Sequence, residues 1–323
     1  MKQPLYSKQV LKLTGASSLE EIEIIQSLWS GYGKIARVKL YNFHRKTAIV
    51  KHIVPPSKSN HPRGWNTDNS HQRKLRSYMV ETNWYKNWTS KINKKSRIPE
   101  CYGVASAGNN QIILLEDLDA RGFDQRKLTI SLTEIKSCLT WLAHFHAIHM
   151  GKSPNGLWPI GTYWHLETRP DEFKLMAKSA LKQAANQIDK TLNQCKFMTI
   201  VHGDAKLANF CFSADESKVA VLDFQYVGGG CGMKDVAYFL GSCLSENECE
   251  MLEVELLNFY FKSLKESTIG IQIDFNELEK EWRQMYPFAW ADFNRFLMGW
   301  MPNHQKLHGY SEKMVEKALK EIN

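Results

Sequence analysis

The stretch "TIVHGDAKLANFCF", residues 199–212, gathers His202, Gly203, Asp204, Lys206 and Asn209 into one short loop at the end of an apolar run. "FMTIV" (197–201) leads into it, "FCF" (210–212) follows, and "ADESK" (214–218) separates that from "VAVLD" (219–223). Short β-prone runs joined by a polar turn predict a hairpin, with the loop 202–209 entering it. Asp223 then closes the second strand, and both aspartates fall at the same edge. A lone aspartate at a strand end is ordinarily a turn residue. An H-x-D-x-K-x-x-N loop followed by a hairpin and Asp-Phe is a far more particular arrangement.

These residue types suit phosphoryl transfer, which asks the protein mainly for positioning and charge. Asp204 can orient and deprotonate an attacking hydroxyl. The amide oxygen of Asn209 and the carboxylate of Asp223 are hard ligands suited to Mg²⁺. Lys206 can point at a transferring phosphoryl group.

The 323 residues suffice for one large domain or two lobes with a real core. With 43% apolar, 24% charged and 11% aromatic residues the chain reads as folded and globular. Its net charge of +8 is a mild bias that suits anionic ligands such as nucleotides. No basic-aromatic module for nucleic acid stands out. Seven cysteines without a CxxC pair read as reduced thiols, and neither a signal-like N-terminus nor an 18-residue apolar run is visible. The expectation is a soluble cytoplasmic protein without a membrane or nucleic-acid partner, monomeric or a weak homodimer.

Texture divides the chain. Strand-like runs fall at 23–29, 36–42, 46–54 and 111–117, interrupted by a helix-like segment at 71–88. After residue 130 the pattern turns helical. "SLTE" (131–134) is a capping-box start that places Ile135, Leu139, Leu142, Phe145 and His146 on one face. Further amphipathic helices are predicted over 171–194, 246–266, 276–300 and 309–321. The boundary expected is 1–118 for a β-rich N-terminal lobe ending in a hinge, and 119–323 for a helical lobe carrying the hairpin. Two long polar loops, 55–70 and 153–164, are candidates for lids over a substrate or for solvated insertions.

With "HGDAKLAN" and "LDFQ" in view, the chain resembles the protein kinase-like fold. Within it the likeness is to the aminoglycoside phosphotransferase, choline kinase and ecdysteroid kinase-like group. The tail "DFQYVGGGCGMKDVAYFLG" (223–241) is most similar to the ecdysteroid kinase-like branch, in which Asp235 matches an aspartate that opens a helix. The resemblance spans about residues 20–300. It implies an α+β bilobal fold and an ATP- and Mg²⁺-dependent kinase acting on a hydroxyl of a small molecule. Asp204 and Lys206 would be catalytic, with Asn209 and Asp223 the metal ligands.

In the N-terminal lobe, alternation in "TAIVKHIV" puts Ile49, Lys51 and Ile53 on one strand face. The resemblance implies that Lys51 holds the α- and β-phosphates and Ile49 roofs the adenine. Glu81 would then be the counter-charge of Lys51. Gly31 and Gly33 in "WSGYGKIARV" would let a loop approach phosphate oxygens. In "LLEDLDARGF" the backbone of Glu116, Asp117 and Leu118 would meet the adenine edge, with the acidic side chains facing solvent or substrate.

Two features invite other readings. His146 and His149 stand i, i+3 without the partners a zinc site needs, so a packing role is expected. Trp282, Tyr286 and Trp290 form a stripe that reads as core, with a substrate cage as the alternative and Pro287 interrupting the register. The competing functions are a protein kinase and a nucleotide-binding pseudokinase. The short glycine-rich interval between Asp223 and Asp235 gives a peptide little platform, and the retained Asp204, Asp223 and Lys51 speak against a pseudokinase.

Overall fold

The computed structural model describes residues 4–28, 31–56, 68–215 and 218–322. A five-stranded antiparallel sheet opens the chain, formed by β1 (Ser18–Ser27), β2 (Gly33–Tyr41), β3 (Thr47–Ile53), β4 (Cys101–Ala107) and β5 (Asn110–Glu116) in the order β1-β2-β3-β5-β4. α1 (Ser7–Thr14) and α2 (Asp68–Asn87) pack on it. Register explains which face does what. Ile35 lies opposite Lys51 and Lys51 opposite Ile113, while Ala48 and Val50 alternate onto the other face. That other face, with Val38 and Leu114, covers Tyr6 and Val10 of the N-terminal segment. Lys51 is thereby turned toward α2 and the helical half, as the alternation requires.

The sequence reading missed α1 and β4. β4 reads "CYGVASA", whose small residues carry little β-propensity, and a bulge at Cys101/Gly103 breaks its alternation. Gly103 is required there, because a Cβ would stand 2.9 Å from the Leu13 side chain.

The remainder is mainly helical: α3 (Leu132–Ile148), α4 (Pro170–Leu175), α5 (Ala180–Asn193), α6 (Met233–Cys243), α7 (Glu246–Ser267), α8 (Phe275–Trp300) and α9 (Gly309–Ile322). The capping box Ser131–Glu134 forms as expected. The helix expected over 171–194 is instead two, because the Ser179 side chain accepts the Lys182 N–H and starts α5 afresh. Pro287 lies inside an unbroken α8, so the register is not interrupted. Trp282, Tyr286 and Trp290 are all buried, which makes the stripe core and not a cage.

Three short pairs complete the fold. β7 (Phe210–Phe212) and β8 (Val219–Val221) are the expected hairpin, and β6 (Thr199–Val201) pairs with β9 (Gly228–Gly230). That glycine run was read only as a loop. It is a buried strand because Gly228 lies so near residues 158–161 that a Cβ would sit 2.2 Å from the Trp158 carbonyl.

Segment 153–164 is therefore no free lid. Trp158, Gly161 and Thr162 donate backbone N–H groups to Val227, Gly229 and Tyr226, and Tyr163 donates to Gly203. For loop 55–70, residues 57–67 lie outside the described residues. All seven cysteines are unpaired. No helix among the described residues is long and apolar enough to cross a membrane.

Candidate functional site

The loop 202–209 is built from its buried histidine outward. His202 Nδ1 accepts the Asp204 N–H (3.2 Å), which leaves Nε2–H to donate to the Leu222 carbonyl (3.1 Å). The ring thus ties this loop to the strand that delivers Asp223. Burial pushes the His202 pKa down, so the ring is neutral in this role. Asp235, in the first turn of α6, accepts the N–H groups of His202 (2.6 Å) and Gly203 (2.9 Å). His146 holds Asp235 in turn (3.1 Å) and meets the Tyr260 hydroxyl through its other nitrogen (2.7 Å). His146 and His149 are both buried scaffold, and His149 Nδ1 meets the Phe145 carbonyl. Gly203 has a φ of 79° and no room for a Cβ, which would fall 2.1 Å from the Tyr226 carbonyl.

On that frame Asp204 is buried. Its Oδ2 accepts from Lys206 Nζ (3.1 Å) and from Asn209 Nδ2 (3.2 Å), and Nδ2 also donates to the Asp204 carbonyl (2.7 Å). The other oxygen, Oδ1, is buried without a well-formed hydrogen bond, and the Tyr238 hydroxyl lies close to the carboxylate. A buried acceptor of this kind is costly unless something donates to it. Burial raises the Asp204 pKa, and the Lys206 ammonium offsets part of that rise. Pinning Nδ2 leaves the Asn209 amide oxygen as the free acceptor of that side chain.

Asp223 follows β8 with a φ of 71°, a left-handed conformation that costs a non-glycine residue energy and recurs at functional sites. Its Oδ1 accepts from Lys51 Nζ (3.1 Å) and Gln225 Nε2 (2.7 Å). Burial alone would raise its pKa. The Lys51 and Lys206 ammonium groups overcome that and hold the carboxyl well below the usual carboxylate range. Lys51 also meets Glu81 Oε2 at 2.6 Å, with both side chains almost fully buried. Burial disfavours the Lys51 charge, but Asp223 and Glu81 outweigh it and hold the ammonium above its ordinary pKa.

Lys51, Glu81, Asp204, Lys206, Asn209 and Asp223 thus converge on one cavity of about 900 Å³ between the sheet and the helical half, the size of a small-ligand site. Ile49, Glu116, Asp117 and Leu118 line the same cavity. Gly31 and Gly33 do not. Gly33 lies against β3, where a Cβ would stand 2.0 Å from the His52 carbonyl, and Leu28 and Tyr32 form the wall there. The acidic side chains at the hinge, expected to face solvent or substrate, do not face open solvent but line the cavity. Glu116 is buried in ion pairs with Arg97 and Arg121, and Asp117 with Arg37 at 2.9 Å. Three arginines around two carboxylates draw them inward.

Several lining residues were not anticipated. Lys74 donates to Gln225 Oε1 (3.1 Å) and lies 4.9 Å from the Tyr78 ring centroid. Its i, i+7 spacing to Glu81 on α2 was a readable signal. Arg73, Tyr163, Arg169, Tyr226, Phe296 and Trp300 form the far wall, and no spacing rule connects them.

The ecdysteroid kinase-like family model matches residues 42–152 and 162–272. The chain belongs to the ecdysteroid kinase-like family. Among curated proteins none matches it in sequence. Its fold is that of kinase-like proteins. Amicoumacin kinase hAmiN, solved with AMP-PNP, Ca²⁺ and Ami, is 13% identical with a TM-score of 0.51 over 98% of this chain and 92% of that one. The microcompartment-associated aminopropanol kinase is 14% identical with a TM-score of 0.50 over 96% and 93%. The choline kinase LicA from Streptococcus pneumoniae is 14% identical with a TM-score of 0.45 over 97% and 95%.

Proposed function

We propose that this family member is an ATP- and Mg²⁺-dependent kinase that phosphorylates a hydroxyl group of a small molecule. The observation that carries the reading is the buried Asp204 carboxylate, set in the same cavity as the Lys51–Glu81–Asp223 cluster. An acceptor hydroxyl donating to Oδ1 would satisfy the oxygen and be oriented by it. Asp204 would take the proton as the oxygen attacks, and a carboxyl whose pKa burial has raised is the better proton acceptor near neutral pH.

Lys51 would bind phosphate oxygens, with Glu81 fixing the ammonium. Lys206 lies beside Asp204, where it would offset charge on the transferring phosphoryl group. The donor set fits a hard divalent cation: an ionised Asp223 and an Asn209 whose amide nitrogen is already committed. Those two residues would hold Mg²⁺, which supplies neutralisation of phosphate charge.

A peptide acceptor is disfavoured by the segment after Asp223, which is a buried strand and not a platform. The test is ADP release over a library of hydroxylated metabolites, by wild type and by Asp204→Asn. Acceptor-dependent release that Asp204→Asn abolishes supports the reading. Equal release by both proteins refutes it.

A further inference from the structure

The wall that faces Asp204 from the helical half carries more positive charge than its partners neutralise. Arg73 and Arg169 both line the cavity and share one carboxylate. Glu172 Oε1 is 2.9 Å from Arg169 and 3.8 Å from Arg73. Two guanidiniums whose side chains are only 10% and 11% accessible, against one carboxylate, leave a formal charge of +1. Their other hydrogen bonds are to neutral groups: Arg73 to the Thr168 carbonyl and the Ser70 and Tyr226 hydroxyls, and Arg169 to the Tyr163 carbonyl.

Aromatic rings bridge this charge and Asp204. Tyr238 interacts with Asp204, its hydroxyl lies 3.2 Å from that of Tyr163, and the Tyr163 ring lies under the Arg169 guanidinium at 5.7 Å. Phe296 packs on Tyr163 and also lies under Arg169 at 5.1 Å.

Rings in a pocket commonly receive a ligand cation. On this wall Arg169 already holds the faces of Tyr163 and Phe296, and behind it Lys306 holds those of Tyr238 and Phe293. A ligand ammonium would meet repulsion where an anion would meet an uncompensated charge.

We propose that the acceptor is an alcohol with a flat apolar scaffold, whose hydroxyl lies at Asp204 and whose far end carries an anionic group held by Arg73 and Arg169. The proposal rests on the kinase reading for the hydroxyl end and on the arginine wall for the anionic end. Carboxylate and sulfonate offer a guanidinium the same paired oxygens.

The test uses the full chain and hydroxymethylnaphthalenes that carry hydrogen, carboxylate, sulfonate or trimethylammonium on the opposite ring. Affinity is read by calorimetry in the presence of AMP-PNP, and ADP release is read separately with ATP. The anionic members are expected to bind about 10- to 100-fold more tightly than the neutral one, the worth of one charge-assisted hydrogen bond. The ammonium member should bind weakest. Arg169→Gln and, independently, Arg73→Gln should bring anionic and neutral members to within about threefold, and Arg169→Lys should restore part of the gap. The ratio of carboxylate to sulfonate identifies the preferred anion. Equal or tighter binding of the neutral or ammonium member overturns the proposal, as does an anion preference that survives in both arginine variants. ADP release from a neutral or ammonium acceptor alone overturns it while upholding the kinase. Anion-selective binding with no ADP release from any member removes the kinase reading and leaves the anionic subsite.

Discussion

Lys51 and Glu81 offer the most exposed test of how this cleft works. The two side chains are 6% and 2% accessible and 2.6 Å apart, and Lys51 has a second carboxylate, Asp223, at 3.1 Å. Breaking a buried pair from one side typically costs about 3–5 kcal/mol, because the remaining charge is left uncompensated. Glu81→Gln should fall at the lower end, about 3 kcal/mol, since Asp223 still faces the lysine. That corresponds to a melting temperature lower by roughly 4–5 °C in a chain of 323 residues. Lys51→Met removes the only cation in direct contact with Glu81 among the described ion pairs and leaves two carboxylates facing each other, so it should cost more. For turnover the order follows from roles. Lys51→Met deletes the phosphate cation. Glu81→Gln leaves it charged but leaning on Asp223, so turnover falls by less and the Mg²⁺ concentration for half-maximal rate rises. The double variant should turn over no worse than Lys51→Met, because Glu81 acts only through the lysine. A double-mutant cycle on kcat/KM, beside a Mg²⁺ titration, reads all of this. Additive losses, or full activity in Glu81→Gln, would refute the reasoning.

Three further outcomes follow from the same geometry. Asp223→Ala should abolish most of the Mg²⁺-dependent rise in melting temperature with ATP, and Asn209→Ala should reduce it less, since a neutral ligand is lost; a full rise in Asp223→Ala would exclude the carboxylate as a ligand. Asp204→Asn should lower kcat by about 10²- to 10⁴-fold with nucleotide affinity within a few-fold. Its melting temperature at pH 7.5 should be no lower than that of wild type. The sign follows from the raised pKa: an acid whose folded pKa lies above its unfolded one costs stability once pH exceeds the unfolded value, and the cost fades as pH falls back toward it. The difference in melting temperature should therefore narrow from pH 7.5 toward pH 5, and the acid limb of kcat should lie above the ordinary aspartate range. Gly228→Ala should destabilise by about 2 kcal/mol or more, within the range for overpacking, because its Cβ would stand 2.2 Å from the Trp158 carbonyl; unchanged thermal unfolding would show that segment 153–164 gives way easily.

How much of this was legible follows from where each residue's constraint lies. Asp204, Asn209 and Asp223 sit on a loop and a hairpin whose geometry is local, so spacing alone brought them together. Lys51 was readable because a strand's period of two fixes its face. Glu81 needed the helix–sheet packing as well, and only the family resemblance supplied that link. The ion pairs of the hinge carboxylates were not legible because their partners, Arg37, Arg97 and Arg121, come from separate elements. The glycines at 31 and 33 do take the positive φ their freedom allows, 76° and 126°, but neither lines the cavity, and Gly33 also answers to a neighbouring strand's carbonyl.

The same division explains why the motif says so little about the acceptor. Asp235, His146 and Tyr260 form a buried chain behind the loop 202–209, and they constrain the catalytic residues without touching the cavity's far wall. That wall is assembled from α2, the 153–169 segment and the end of α8, three stretches that share no periodicity and meet only through tertiary packing. Arg73 and Arg169 stand 96 positions apart in sequence, yet they share Glu172. A change at Arg73 can alter which alcohol is held while Asp204 keeps its bonds to Asn209, Lys206 and the His202 ring, whereas Arg169 reaches Asp204 through Tyr163 and Tyr238. The chemistry of transfer and the choice of acceptor are therefore carried by different parts of the chain.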